Sequence, residues 1–121
     1  MQTFGHPQSD WDAAISEARD AMIAALRTAK GTITYGELAR RITAIRFEPD
    51  DHIFHGLLGQ ISRSENSQGR GMLSVVVVHQ GGDGMPGPGF FRLAQELGRD
   101  QRNKERFWIA EVDLVRRSHP R

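Results

Sequence analysis

Apolar residues recur along the first third of the chain with a helical period. Ile15, Ala18, Met22, Ala25 and Leu26 line one stripe, while Glu17, Arg19, Asp20 and Arg27 occupy the other faces. Ser9 with Asp12 has the form of a capping box that opens this first helix, and Lys30-Gly31 closes it, since glycine tolerates the left-handed cap conformation. Thr32-Ile33 leaves room for one brief extended step. Thr34-Tyr35-Gly36-Glu37 is a second capping box, and a helix over residues 35–42 turns Leu38, Ala39 and Ile42 inward. A charged loop over residues 46–51 follows, with Pro49 discouraging helix before it. Asp50 or Asp51 then caps a third helix in which Phe54, Leu57, Leu58 and Ile61 repeat at three and four, the clearest amphipathic stretch of the chain.

Beyond residue 64 the pattern changes. Residues 64–71 read as a polar loop and residues 73–78 as a β-branched strand. Gly81-Gly82-Asp83-Gly84 is a tight connection, and Met85-Pro86-Gly87-Pro88-Gly89 is a return whose prolines weaken strand pairing. Phe91, Leu93, Ala94 and Leu97 give a short helical pattern closed by Gly98. Trp108, Val112 and Val115 mark a C-terminal helix from about Asn103, although residues 107–109 also suit a strand. The element order predicts an α+β, mostly α domain: a winged helix-turn-helix with a small β-hairpin wing and a C-terminal helix. Residues 1–9 are expected as a flexible arm, 10–117 as one domain and 118–121 as a flexible end.

In helix-turn-helix proteins the later helix of the unit enters the major groove, so the third helix, around residues 51–63, is the expected reader. Its polar side carries His52, His55, Gly56, Gly59, Gln60 and Arg63. Gln60 has the donor–acceptor pair that matches adenine, Arg63 suits guanine or phosphate, and both histidines can donate to phosphate. The two glycines cost about 1 kcal/mol each in helix stability, which points to close approach by a neighbouring helix or a ligand. The same face also fits the solvated side of an ordinary surface helix. Tyr35 either meets a phosphate or staples its helix to the core. Arg40 and Arg41 on one side and Arg63 and Arg70 on the other would rim the reader with phosphate contacts, whereas scattered arginines commonly serve only solubility.

Composition narrows the chemistry. The 121 residues contain no cysteine, which removes disulfides, thiolate metal sites and a thiol nucleophile. With 16 Lys+Arg against 15 Asp+Glu the net charge is +1, so any attraction to nucleic acid is local. No apolar run approaches the ~18 residues of a membrane span, and a cytoplasmic protein is expected. His52 and His55 have a spacing open to metal, but only Asp51 stands near them as a carboxylate, so no metal and no cofactor are expected. The glycine-rich stretch lacks both the P-loop ending and the dinucleotide spacing, and reads as a wing or mobile loop.

The run Gly31-Thr32-Ile33-Thr34-Tyr35-Gly36-Glu37-Leu38-Ala39 resembles a segment of the O6-alkylguanine-DNA alkyltransferases and their catalytically dead alkyltransferase-like relatives. The likeness continues through His55-Gly56-Leu57-Leu58-Gly59, a strand, the Asp83-Gly84 turn, a glycine-rich return and Lys104-Glu105-Arg106-Phe107-Trp108. It covers residues 20–115 and is close only at Thr34-Tyr35-Gly36-Glu37. Where that family carries a Pro-Cys-His-Arg acceptor motif, this chain has Ser74-Val75-Val76-Val77-Val78, so alkyl transfer through a thiolate is excluded. The arginine that the family inserts into the base stack has only imperfect stand-ins in His52, His55 or Arg63. The resemblance therefore implies the DNA-binding domain's fold and a tendency toward duplex DNA, with no catalysis.

Two alternatives stand beside DNA binding. A protein-interaction module would present Phe90, Phe91 or Trp108 to a partner, as monomer or homodimer. An enzyme would have to draw on Asp51, His52, His55, Glu65 and Asp83, which form no nucleophile–base–orienter set in sequence.

Overall fold

The computed structural model describes residues 2–120. Five helices and a two-stranded parallel sheet make up the chain: α1 (Gln8–Ala25), β1 (Ile33–Thr34), α2 (Tyr35–Arg41), α3 (His52–Ser67), a 3-10 turn (Leu73–Val76), β2 (Val77–Val78), α4 (Pro88–Glu96) and α5 (Lys104–Ser118). The class is α+β and mostly helical. None of the helices is long and apolar enough to cross a membrane.

Local chemistry accounts for most helix starts. The Thr34 hydroxyl accepts the Glu37 N–H at 3.2 Å, Asp51 accepts from Ile53 at 2.9 Å and Asn103 from Arg106 at 3.0 Å, each satisfying an amide that lacks an intrahelical partner. Glu37 does not complete a reciprocal box. Its carboxylate turns instead to Arg40 and Arg41 on the same helix. The Ser9 cap is not formed, because α1 already begins at Gln8 behind Pro7, and Asp12 accepts from the Gln8 side chain. The helix thus starts inside the segment expected as a flexible arm. Phe4, further upstream, packs its ring 5.6 Å from Trp11.

The core is organised around the turn at Leu73–Val76, whose Leu73, Val75 and Val76 are fully buried between α1, α3 and α5. Residues 73–78 were expected as one strand leading into a hairpin wing. Instead the first four form the 3-10 turn, and only Val77 and Val78 are extended. They pair in parallel with Ile33 and Thr34 rather than with a returning strand. The reason lies in the hydrogen bonds. Ser74 N–H is taken by the Ser62 hydroxyl at 2.9 Å and Met72 N–H by Glu111 at 2.7 Å, both on helices. On the return side Pro86 and Pro88 have no N–H to give, and Pro88 is well placed as the first residue of α4. No antiparallel hairpin occurs among the described residues, and an exposed loop over residues 79–85 stands in its place.

Two buried carboxylates act as fasteners between segments distant in sequence. Glu111, 1% exposed, takes paired hydrogen bonds from Arg99 as well as the Met72 amide. Glu65, 2% exposed, holds Arg19 of α1 and Arg70, and His119 Nε2 lies 3.3 Å from it. Burial opposes ionisation of Glu65, but the Arg70 hydrogen bond and the charges of Arg19 and Arg70 outweigh it and hold its pKa below the ordinary value. The inward stripe of α5 is Phe107, Glu111 and Val115; Trp108 and Val112, expected as core, are only half-buried.

Candidate nucleic-acid interface

Tyr35 is the first residue of α2, immediately after the Thr34 cap, and its ring is 8% exposed. The His55 ring, from the second turn of α3, stacks on it with centroids 4.9 Å apart and 25° between planes. His79, from the loop after β2, meets Tyr35 at 4.9 Å and 44°. The Tyr35 hydroxyl accepts the N–H of Gly87, the residue that caps α4, at 3.1 Å. The beginnings of α2, α3 and α4 thus converge on one phenol. Such ends carry partial positive charge, and here the Glu37, Ile53 and Gly87 amides are taken by Thr34, Asp51 and Tyr35.

Close packing makes the junction specific. A Cβ at Gly87 would stand 2.7 Å from His79 Nε2 and 3.5 Å from the Tyr35 hydroxyl, so the glycine is there for space; its φ of −72° is open to any residue. His55 Nε2 is 2.8 Å from the Pro49 carbonyl, which ties α3 to the charged loop. Burial raises the Tyr35 pKa, against the smaller opposite effect of the Gly87 amide, so the phenol stays protonated at neutral pH. Its oxygen is already an acceptor for Gly87, and its own proton has no acceptor among the described residues.

Beneath the rings is a cavity of about 40 Å³ lined by Tyr35, His55, Leu58, Gly59, Ser74 and Phe90, among others. That is room for a single water or a methyl group. The Ser74 hydroxyl is 2.6 Å from that of Ser62, and this serine pair is buried.

The residues expected to read DNA divide between this face and internal duties. Gln60 accepts from the Trp11 indole at 2.9 Å and donates to the Gln2 carbonyl at 2.6 Å, so both ends of its amide are used inside the chain. A Cβ at Gly56 would sit 3.1 Å from the Phe4 ring, and one at Gly59 3.9 Å from Leu93 of α4. The close approach expected at these glycines is met at Gly56, by the chain's own Phe4, while Gly59 has room for a Cβ in ordinary contact with α4. Arg70 is committed to buried Glu65. Arg63 pairs with Glu96 while both remain about half exposed, and Arg40 and Arg41 pair with Glu37 on the outer side of α2. Such exposed pairs are worth at most about 1 kcal/mol and yield readily to a phosphate. His52 is exposed, with the Phe4 ring edge-on to it at 6.4 Å.

Neither His79 nor Gly87 stands out in the sequence as a site residue. His79 is exposed, but its ring is a wall of the Tyr35 junction. Phe90 and Phe91, which a protein-interaction module would offer to a partner, are buried residues of α4 itself, their rings edge-to-face at 5.3 Å. Comparison with protein-family models, curated proteins and solved structures finds no match to this chain.

Proposed function

We propose that the chain is a non-catalytic DNA-binding module of winged helix-turn-helix type. In this reading α2 and α3 form the helix-turn-helix and the loop over residues 79–85 takes the place of a wing. The observation that carries it is the Tyr35 phenol, with an unclaimed proton, at the meeting of three helix N-termini. Phosphate is the partner that such a junction fits, and Arg40, Arg41 and exposed His52 extend the contact along a duplex backbone. The resemblance at Thr34-Tyr35-Gly36-Glu37 supports the same face. Ser74 opens the stretch that takes the place of the acceptor motif in the family that the chain resembles. Its hydroxyl is spent on Ser62, which goes with binding rather than chemistry. Base readout moves from Gln60, which is occupied, to the first turns of α3. A cytoplasmic setting belongs to this reading.

Fluorescence anisotropy with labelled duplex DNA over a salt series tests it. Binding is expected to weaken steeply with salt, as counterion release requires. Tyr35→Phe keeps the ring but removes the donor, and is expected to weaken binding about tenfold, the worth of one charge-assisted hydrogen bond. Gln60→Ala is expected to change affinity little. No binding at low salt, or equal binding by wild type and Tyr35→Phe, overturns the proposal.

A further inference from the structure

The outer stripe of α5 is built to meet its own copy. Ile109, 54% exposed, is one of two large hydrophobic residues described as exposed, the other being Phe4. It sits beside exposed Ala110 in the middle of α5, with half-buried Val112 alongside. One turn before it is Arg106, whose side chain has no ion-pair partner among the described residues; one turn after it is Asp113, paired only with Arg117 of the same helix, both well exposed. An apolar centre with a cation on one side and an anion at the same distance on the other is self-complementary under a two-fold axis. Two antiparallel α5 helices crossing at Ile109 and Ala110 bring Arg106 of each against Asp113 of the other, the isologous arrangement of a C2 dimer.

We infer that this stripe is a homodimer interface, with a second copy of the chain as its occupant. A 15-residue helix is about 22 Å long, which limits the contact to less than a standard interface. Contacts below the standard size go with weak association, so the dimer is expected only at the higher protein concentrations. Because Arg106, Ile109, Ala110 and Asp113 take no part in the Tyr35 junction, the inference does not depend on DNA binding and is tested without nucleic acid.

Sedimentation equilibrium of the full chain over a range of concentrations reads it. Wild type is expected to shift from monomer to dimer. Arg106→Asp and Asp113→Arg, each alone, place like charges opposite one another and are expected to weaken association by at least about tenfold. Both together restore opposite charges across the axis, and are expected to recover wild-type association to within about threefold. Both positions are solvent-facing, as is Ile109, and circular dichroism confirms that each variant is folded. A chain that stays monomeric at the highest concentrations overturns the inference and leaves the stripe to some other partner. A dimer indifferent to the single reversals, or a double variant that stays monomeric, overturns it equally.

Discussion

Glu111→Leu tests how α5 is held. The native carboxylate is 1% exposed and accepts from both Arg99 terminal nitrogens and, at 2.7 Å, from the Met72 amide. Leucine nearly preserves the volume but orphans the buried Met72 N–H, which costs about 1–3 kcal/mol. It also strips Arg99 of its partner. Removing one member of a buried pair costs about 3–5 kcal/mol, but the Arg99 side chain is 26% exposed and can turn partly to water. The lower end, about 3 kcal/mol in total, is therefore the expected loss. For a chain of this size that lowers Tm by about 10 °C. Urea unfolding followed by circular dichroism measures the loss, and the cycle with Arg99→Met measures the coupling, expected at 1 kcal/mol or more. A loss below about 1 kcal/mol, or strict additivity of the two changes, would refute the claim that this pair fastens α5.

Acid weakens the fold through two groups at the second fastener. The Glu65 pKa is held below 4.5, so its contribution is present above that value and is lost as pH falls through the lower, folded one. Glu65→Gln is expected to flatten this acid limb of the stability curve, and a limb of unchanged steepness counts against it. Burial lowers the His119 pKa below 6.5, more than Glu65 raises it, with Arg19, Arg70 and Arg27 adding to the lowering. Unfolding then takes up a proton, and stability falls as pH drops below 6.5; His119→Gln should remove that part of the slope in unfolding titrations. Gly87→Ala puts a methyl group 2.7 Å from His79 Nε2, the end of an exposed side chain that can swing away. It is expected to cost less than about 1 kcal/mol in stability yet to break the His79–Tyr35 stack. The His79 proton shifts in an NMR spectrum report this, and unchanged shifts would contradict the packing described.

Helix starts and faces were legible in the chain because each depends on a handful of neighbouring residues. Thr34 caps as its spacing predicts, Asp51 is the one of two adjacent aspartates that caps, α5 starts beside Asn103 as expected, and Phe54, Leu57, Leu58 and Ile61 repeat at a period that only one helical face can satisfy. The mostly helical class follows from those local terms. The missing hairpin, the Tyr35 junction and the fate of α3's polar side were decided by tertiary structure. A valine run offers the same side chains to a turn or a strand. What made residues 73–76 a turn was Ser62 taking the Ser74 amide and Glu111 that of Met72 just before it, from two different helices. Gln60 reads as a base-contacting side chain until Trp11 and Gln2 arrive at its two ends, and His79 reads as a surface residue until Gly87 brings α4 against Tyr35. Composition and period say which groups must be buried or satisfied. Which partner satisfies each one is settled only when segments far apart in sequence are packed together, because a buried polar group takes whatever complementary group the whole fold brings within reach.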